Sequence, residues 1–364
     1  MSPSARRREL GQFVFLGFDG YVIPPEIRSL AREFDIGGVV LFKRNVESPG
    51  QVAELAFEAG RLVPSTPLWV SVDQEGGRVA RLRRPFTEWP AMAALGRAAD
   101  PELARRVARA LAAELMAVGI TMDFAPVLDT LTNPSNPAIG DRALSDRADV
   151  VAELGTAIIE AIQGEGLAAC GKHFPGHGEA GVDSHDALPM VELPPDRFRA
   201  VEFVPFRAAI ASDVAAIMVA HLLVPAFDEG LPSSLSRSIV TGLLREELGF
   251  DNLIVTDDMS MKACTSRFSV PQATVKAVTA GHDLALLCEP DHDGQAAALE
   301  ALVHAVEDDS IRYAQIETSL GRHARLKARF LGARARPTRP SDAWRGLIGC
   351  DAHQLIAAEM RQHV

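Results

Sequence analysis

Residues 167–189 read LAACGKHFPGHGEAGVDSHDALP. Leu167 to Lys172 is a short apolar run that predicts a buried strand, and the residues after it cannot fill a core. From Gly171 to Pro189 there are three histidines, three acidic residues, one lysine and four glycines. A strand that opens into a glycine-rich, ionisable loop is an arrangement enzymes use, because the rigid element aims side chains that the loop leaves reachable.

Outward from this stretch the chain repeats one theme. Apolar runs at Gln12–Gly17, Val39–Phe42, Leu68–Val72 and Gly119–Phe124 precede it. Runs at Ala216–His221, Leu253–Thr256 and Leu284–Leu287 come after it. Between them lie segments with apolar residues at helical spacing, such as Leu103, Val107, Leu111, Leu115 and Val118 after Asp100-Pro101. Continuous rather than alternating apolar runs are expected of parallel strands covered on both faces. Eight such strands alternating with helices predict a (β/α)8 TIM-type barrel, with a doubly wound open sheet as the alternative. The barrel is favoured because polar residues collect after the ends of strands three to seven, which a barrel brings to one mouth. The expected division is a barrel over residues 1–335 and a helical tail over 336–364. In that tail, Trp344, Leu347, Ile348, Leu355 and Ile356 predict a helix that packs on the barrel or on a partner chain.

Composition narrows the function. A net charge of −11 argues against a nucleic-acid partner. The basic cluster Arg6-Arg7-Arg8 reads as a solvated tail. No apolar run reaches the ~18 residues of a membrane span, and no signal-peptide core precedes Asp19. The four cysteines form no CxxC pair, and Cys170 and Cys288 read as buried reduced thiols. The expectation is a cytoplasmic protein with neither membrane nor nucleic-acid partner; monomer and homodimer both stay open.

Three groups of residues carry chemistry. Asp73, with Arg78 and Arg81 beyond Gly76-Gly77, can accept and donate hydrogen bonds to sugar hydroxyls, or serve as a rim ion pair; Arg78 fits the structural role better. Asp183 and His185, two apart, can pair so that the carboxylate fixes the imidazole tautomer, leaving a histidine able to give a proton and take it back. Asp257 and Asp258 end a β-branched strand: Asp257 is placed as a nucleophile, and Asp258 suits a helix N-cap. A metal site on His173, His177 and His185 with Asp257 is the rival; the loop's glycines and proline deny these histidines a fixed face. No phosphate-binding glycine loop or GxSxG motif occurs.

These blocks resemble those of bacterial β-N-acetylhexosaminidases of glycoside hydrolase family 3. The resemblance rests on Lys172-His173-Phe174-Pro175-Gly176-His177-Gly178 with Asp183-Ser184-His185, on Asp73 to Arg78, on Asn136 to Arg142, and on Thr256 to Met261. It covers about residues 10–330. It implies a retaining enzyme that cleaves terminal β-linked N-acetylglucosamine without metal or organic cofactor. Asp257 would be the nucleophile, His185 the acid/base and Asp183 its partner. Asp73, Arg81, Arg142, Lys172 and His173 match the sugar-binding positions. The implied substrates are muropeptides from peptidoglycan recycling in the cytoplasm. A phosphorylase or a β-glucosidase on the same barrel is the alternative. Ala80 and Ala143-Leu144 depart from the family pattern, which bears on fine specificity.

Overall fold

The computed structural model describes residues 3–184, 186–332 and 342–364. Among the described residues there are ten strands: β1 (Val14–Leu16), β2 (Gly38–Leu41), β3 (Trp69–Val72), β4 (Gln74–Gly76), β5 (Val79–Ala80), β6 (Met122–Asp123), β7 (Ala168–Phe174), β8 (Ala216–Val219), β9 (Leu253–Asp258) and β10 (Leu284–Leu287). Eight of them close into a parallel barrel in the order β1-β10-β9-β8-β7-β6-β3-β2. The other two, β4 and β5, form a small antiparallel hairpin just beyond β3. The eight-stranded barrel read from the apolar runs is therefore the observed fold.

The strands carry apolar residues on both faces because each face meets a different core. Phe15, Val40, Trp69, Met122 and Met218 fill the barrel interior. Val14, Leu16, Val39, Leu41 and Val70, their alternating neighbours, pack outward against the helices. Phe330, near the end of helix Tyr313–Leu331, joins the interior cluster and lies 6.4 Å from the ring of Trp69. Truncating a residue such as Trp69 would cost about 3–5 kcal/mol.

Some helices start at a side-chain cap. The Asp100 side chain accepts from the backbone N–H of Glu102 and Leu103 at the head of Pro101–Ala117. Gly281, at φ 117°, ends Val270–Ala280 in a conformation that a side chain would strain.

Two local features differ from the sequence expectation. β7 runs two residues past Lys172, so His173 and Phe174 belong to the strand and are aimed by it. Residues Pro3–Gly11 form a helix rather than a solvated tail: Arg7 bonds Glu300 at 2.6 Å and Glu33 at 2.8 Å, tying the helix to distant parts of the chain. The helix Asp351–Arg361 lies on the barrel's outer helix Pro101–Ala117, with Arg106 bonding Glu359 at 2.8 and 2.6 Å. Among the described residues no helix is long and apolar enough to cross a membrane.

Candidate active site

At the C-terminal ends of the strands lies a cleft of about 770 Å³, part of it open to solvent. Its wall on the β3 side carries Asp73, Glu75 and Arg81; β7 supplies Lys172 and His173. Arg142 enters from the loop after β6, Asp183 from the histidine loop, and Asp257 from the end of β9. His185 lies outside the described residues.

The β3 wall is a network of buried charge. Lys172 Nζ donates to Asp73 at 2.7 Å and pairs with Glu75 at 2.6 Å. Arg81 reaches the other oxygen of Asp73 at 3.2 Å. Arg142 grips Glu75 through two bonds of 2.9 Å each, a fork that a lysine could not reproduce. Burial by itself pushes the Asp73 and Glu75 carboxyls up, but the charge of Lys172, aided by Arg81 and Arg142 respectively, more than offsets it and holds both below the usual range. Burial likewise pulls Lys172 and Arg142 down, and the facing carboxylates more than reverse that. These four groups are therefore charged at neutral pH.

Sequence reasoning does not single out Glu75 as a site residue. Nor does it find Asp129, which organises the base of the histidine loop. Asp129 is fully buried. It accepts His173 Nδ1 at 2.7 Å, the backbone N–H of His173 at 3.2 Å and that of His177 at 2.6 Å. The Nδ1 contact fixes the tautomer and turns His173 Nε2 toward Arg142, 3.4 Å away. His177 points elsewhere, its Nε2 3.4 Å from Ser184 Oγ, and burial pulls its pKa down. The rival three-imidazole metal site fits this poorly: with Nδ1 bonded to Asp129, His173 could offer only Nε2, and that nitrogen faces the Arg142 guanidinium, whose charge repels a cation.

The loop is also held by close backbone approach. A side chain at Gly178 would meet the Thr130 carbonyl at 1.7 Å, and one at Gly176 (φ 123°) would meet Glu202 at 2.9 Å. The Ser184 carbonyl accepts the N–H of Ala263, so the histidine loop rests on the turn beyond β9.

The two adjacent aspartates both line the cleft, but they differ in what they bond. Asp257 lines the cleft, and its Oδ1 accepts the backbone N–H of Asp258 at 2.8 Å. Asp258 accepts from Ser260 N and Cys288 N, both at 3.1 Å, and so ties the end of β9 to β10; burial raises its pKa. Its backbone carbonyl faces His221 Nε2 at 2.9 Å. Arg78 is structural, donating to the carbonyls of Pro137, Ala138 and Ile139.

Residues 7–326 match the model of the glycosyl hydrolase family 3 N terminal domain. Beta-hexosaminidase A of Pseudoalteromonas piscicida is 33% identical over 363 residues, which span 93% of this chain and 60% of that protein's own length. The beta-hexosaminidase of Thioalkalivibrio sulfidiphilus is 40% identical over 318 residues, covering 85% of this chain and 89% of its own. A solved glycoside hydrolase family 3 beta-N-acetylglucosaminidase from Paenibacillus sp. str. FPU-7 superposes with a TM-score of 0.93 at 40% identity, over 98% of this chain and 68% of that one. Matched along nearly its whole barrel by sequence and by shape, the chain belongs to glycoside hydrolase family 3 and, within it, to the bacterial β-N-acetylhexosaminidases.

Proposed function

We propose that this hexosaminidase removes terminal, non-reducing β-linked N-acetylglucosamine with retention of configuration. Asp257 attacks the anomeric carbon as the glycosidic C–O bond breaks, and His185 gives its proton to the departing oxygen. The glycosyl-enzyme on Asp257 is then hydrolysed by a water that His185 deprotonates. Asp183 pairs with His185 and favours the imidazolium needed in the first step. Asp73, Arg81, Arg142, Lys172 and His173 hold the sugar's hydroxyls. No metal or organic cofactor takes part. The natural substrates are muropeptides of peptidoglycan recycling, met in the cytoplasm.

One observation carries this reading. Asp257 faces the same cleft as the Asp73–Lys172–Arg81 network, with Asp183 on the loop between them in the chain. The groups assigned here as nucleophile, acid/base partner and hydroxyl ligands all line this one space, which supports the reading.

The test is turnover of an aryl β-N-acetylglucosaminide, with and without phosphate and with a chelator present. Hydrolysis that ignores both additions, lost by at least about 10³-fold in Asp257→Ala, is expected. An N-acetylglucosaminyl adduct should be trapped on Asp257. Phosphate-dependent release of sugar 1-phosphate would move the protein to the phosphorylases, and faster turnover of the matching glucoside would make it a β-glucosidase.

A further inference from the structure

Glu114 lies on the outer helix Pro101–Ala117, and none of the chemistry above uses it. It is buried, and its carboxylate accepts four hydrogen bonds. Thr87 provides two, from its backbone N–H at 2.9 Å and its hydroxyl at 2.7 Å. The C-terminal segment provides the others, from Gly349 N at 2.9 Å and His353 Nδ1 at 2.8 Å. One carboxylate therefore joins three distant stretches of chain, and with four donors on it the buried group is well satisfied. Contact around it is close. Arg361 donates to the Glu88 carbonyl at 2.9 Å, and a side chain on Gly349 (φ 63°) would meet the Pro85 carbonyl at 2.2 Å.

The stretch gripped here, residues 85–88, is part of the backing of the β4–β5 hairpin. The Gln74 side chain accepts from Arg81 N at 2.8 Å and Leu82 N at 3.0 Å, and donates to Leu82 O at 2.8 Å. Gly77 N donates to Trp89 O at 2.9 Å. Residues 82–89 are thus held to the hairpin at both ends and to the C-terminal segment in the middle. Asp73 stands at the root of that hairpin and Arg81 at its exit.

We propose that the C-terminal segment, docked through Glu114, is a positioning element for the sugar-binding wall and keeps Arg81 against Asp73. This rests on the assignment of those two residues to the sugar. Strand β9, which carries Asp257, lies four places from β3 around the barrel. Loosening the dock therefore acts on substrate binding and spares the chemical step.

The test uses the full chain with His353→Ala and, separately, Gly349→Ala, each checked for cooperative unfolding. Neither residue lines the cleft. Amide hydrogen exchange across 74–89 should rise about tenfold, the scale of one lost hydrogen bond to a charged group, while exchange across 253–258 stays as in the wild type. KM for the aryl β-N-acetylglucosaminide should rise by a similar factor with kcat within about twofold. Unchanged exchange at 74–89, or a fall in kcat at constant KM, would overturn the proposal. A wild-type protein inactive on that glycoside would instead sink the sugar-site assignment, and the exchange result would then decide the docking by itself.

Discussion

His173 donates a hydrogen bond from Nδ1–H to Asp129 at 2.7 Å, and that bond decides which ring nitrogen looks toward Arg142 and the cleft. The same carboxylate holds two backbone N–H groups, so an amide in its place would set an NH₂ against a donor. Asp129→Asn should lower kcat/KM by about 10–100-fold, the range given by losing a charged hydrogen bond of roughly 1.5–3 kcal/mol. Steady-state kinetics on the aryl glycoside checks it, and a variant with wild-type kcat/KM would remove Asp129 from the site's machinery.

Glu75→Gln breaks a buried pair that Lys172 and Arg142 share. Its cost at neutral pH should be about 3–5 kcal/mol in urea unfolding, because the two cations stay behind with too little counter-charge. The folded carboxyl titrates below its ordinary value. Its contribution is therefore full above the unfolded pKa of about 4.3 and is lost as pH falls below that toward the folded value. The stability gap between wild type and variant should narrow from pH 7 to about pH 3. A gap that stays constant over that range would show that Glu75 is not held by charge.

Asp257 and Asp258 separate by substitution to asparagine. Asp258 accepts two backbone N–H groups, and the amide oxygen of Asn can still do so. Asp258→Asn should stay within about tenfold of wild type, whereas Asp257→Asn should lose at least about 10³-fold as a missing nucleophile. The reverse order would transfer the nucleophile to Asp258.

Gly178→Ala tests the seat of the histidine loop. The new methyl would meet the Thr130 carbonyl, which is backbone and cannot swing aside. Overpacking of this kind costs about 1–3 kcal/mol. Activity should fall along with stability, since the loop that carries Asp183 would be displaced; unfolding curves and kcat/KM measured together would reveal a loop indifferent to its seat.

Sequence range separates the legible features from the hidden ones. The barrel was legible because each strand writes a local signature, an apolar run such as Val39-Val40-Leu41 between helical periods. The histidine loop was legible because ionisable residues and glycines crowd into one stretch. Asp129 and Glu75 were not, since their partners lie 44 and 67 residues away and no spacing rule links them. The signal present was faint: in Ala125-Pro126-Val127-Leu128-Asp129, a lone acid closes an apolar run at the mouth end of a strand. The arginines at 6–8 misled for the same reason, because Arg7 meets a glutamate 293 residues on. The C-terminal helix was expected, but which surface it covers depends on Glu114 and Thr87, neither distinctive in the sequence.

The Lys172 ammonium is engaged by Asp73 and Glu75 through the folded chain alone. A long cationic side chain gives up about 1.5–2 kcal/mol of rotamer entropy when it is immobilised. In this cleft Lys172 and Arg142 lose that freedom as the protein folds, not as the sugar arrives. On the proposed sugar assignment, the hydroxyls meet partners already at rest, and the free energy of recognition goes mainly into exchanging water for those fixed groups.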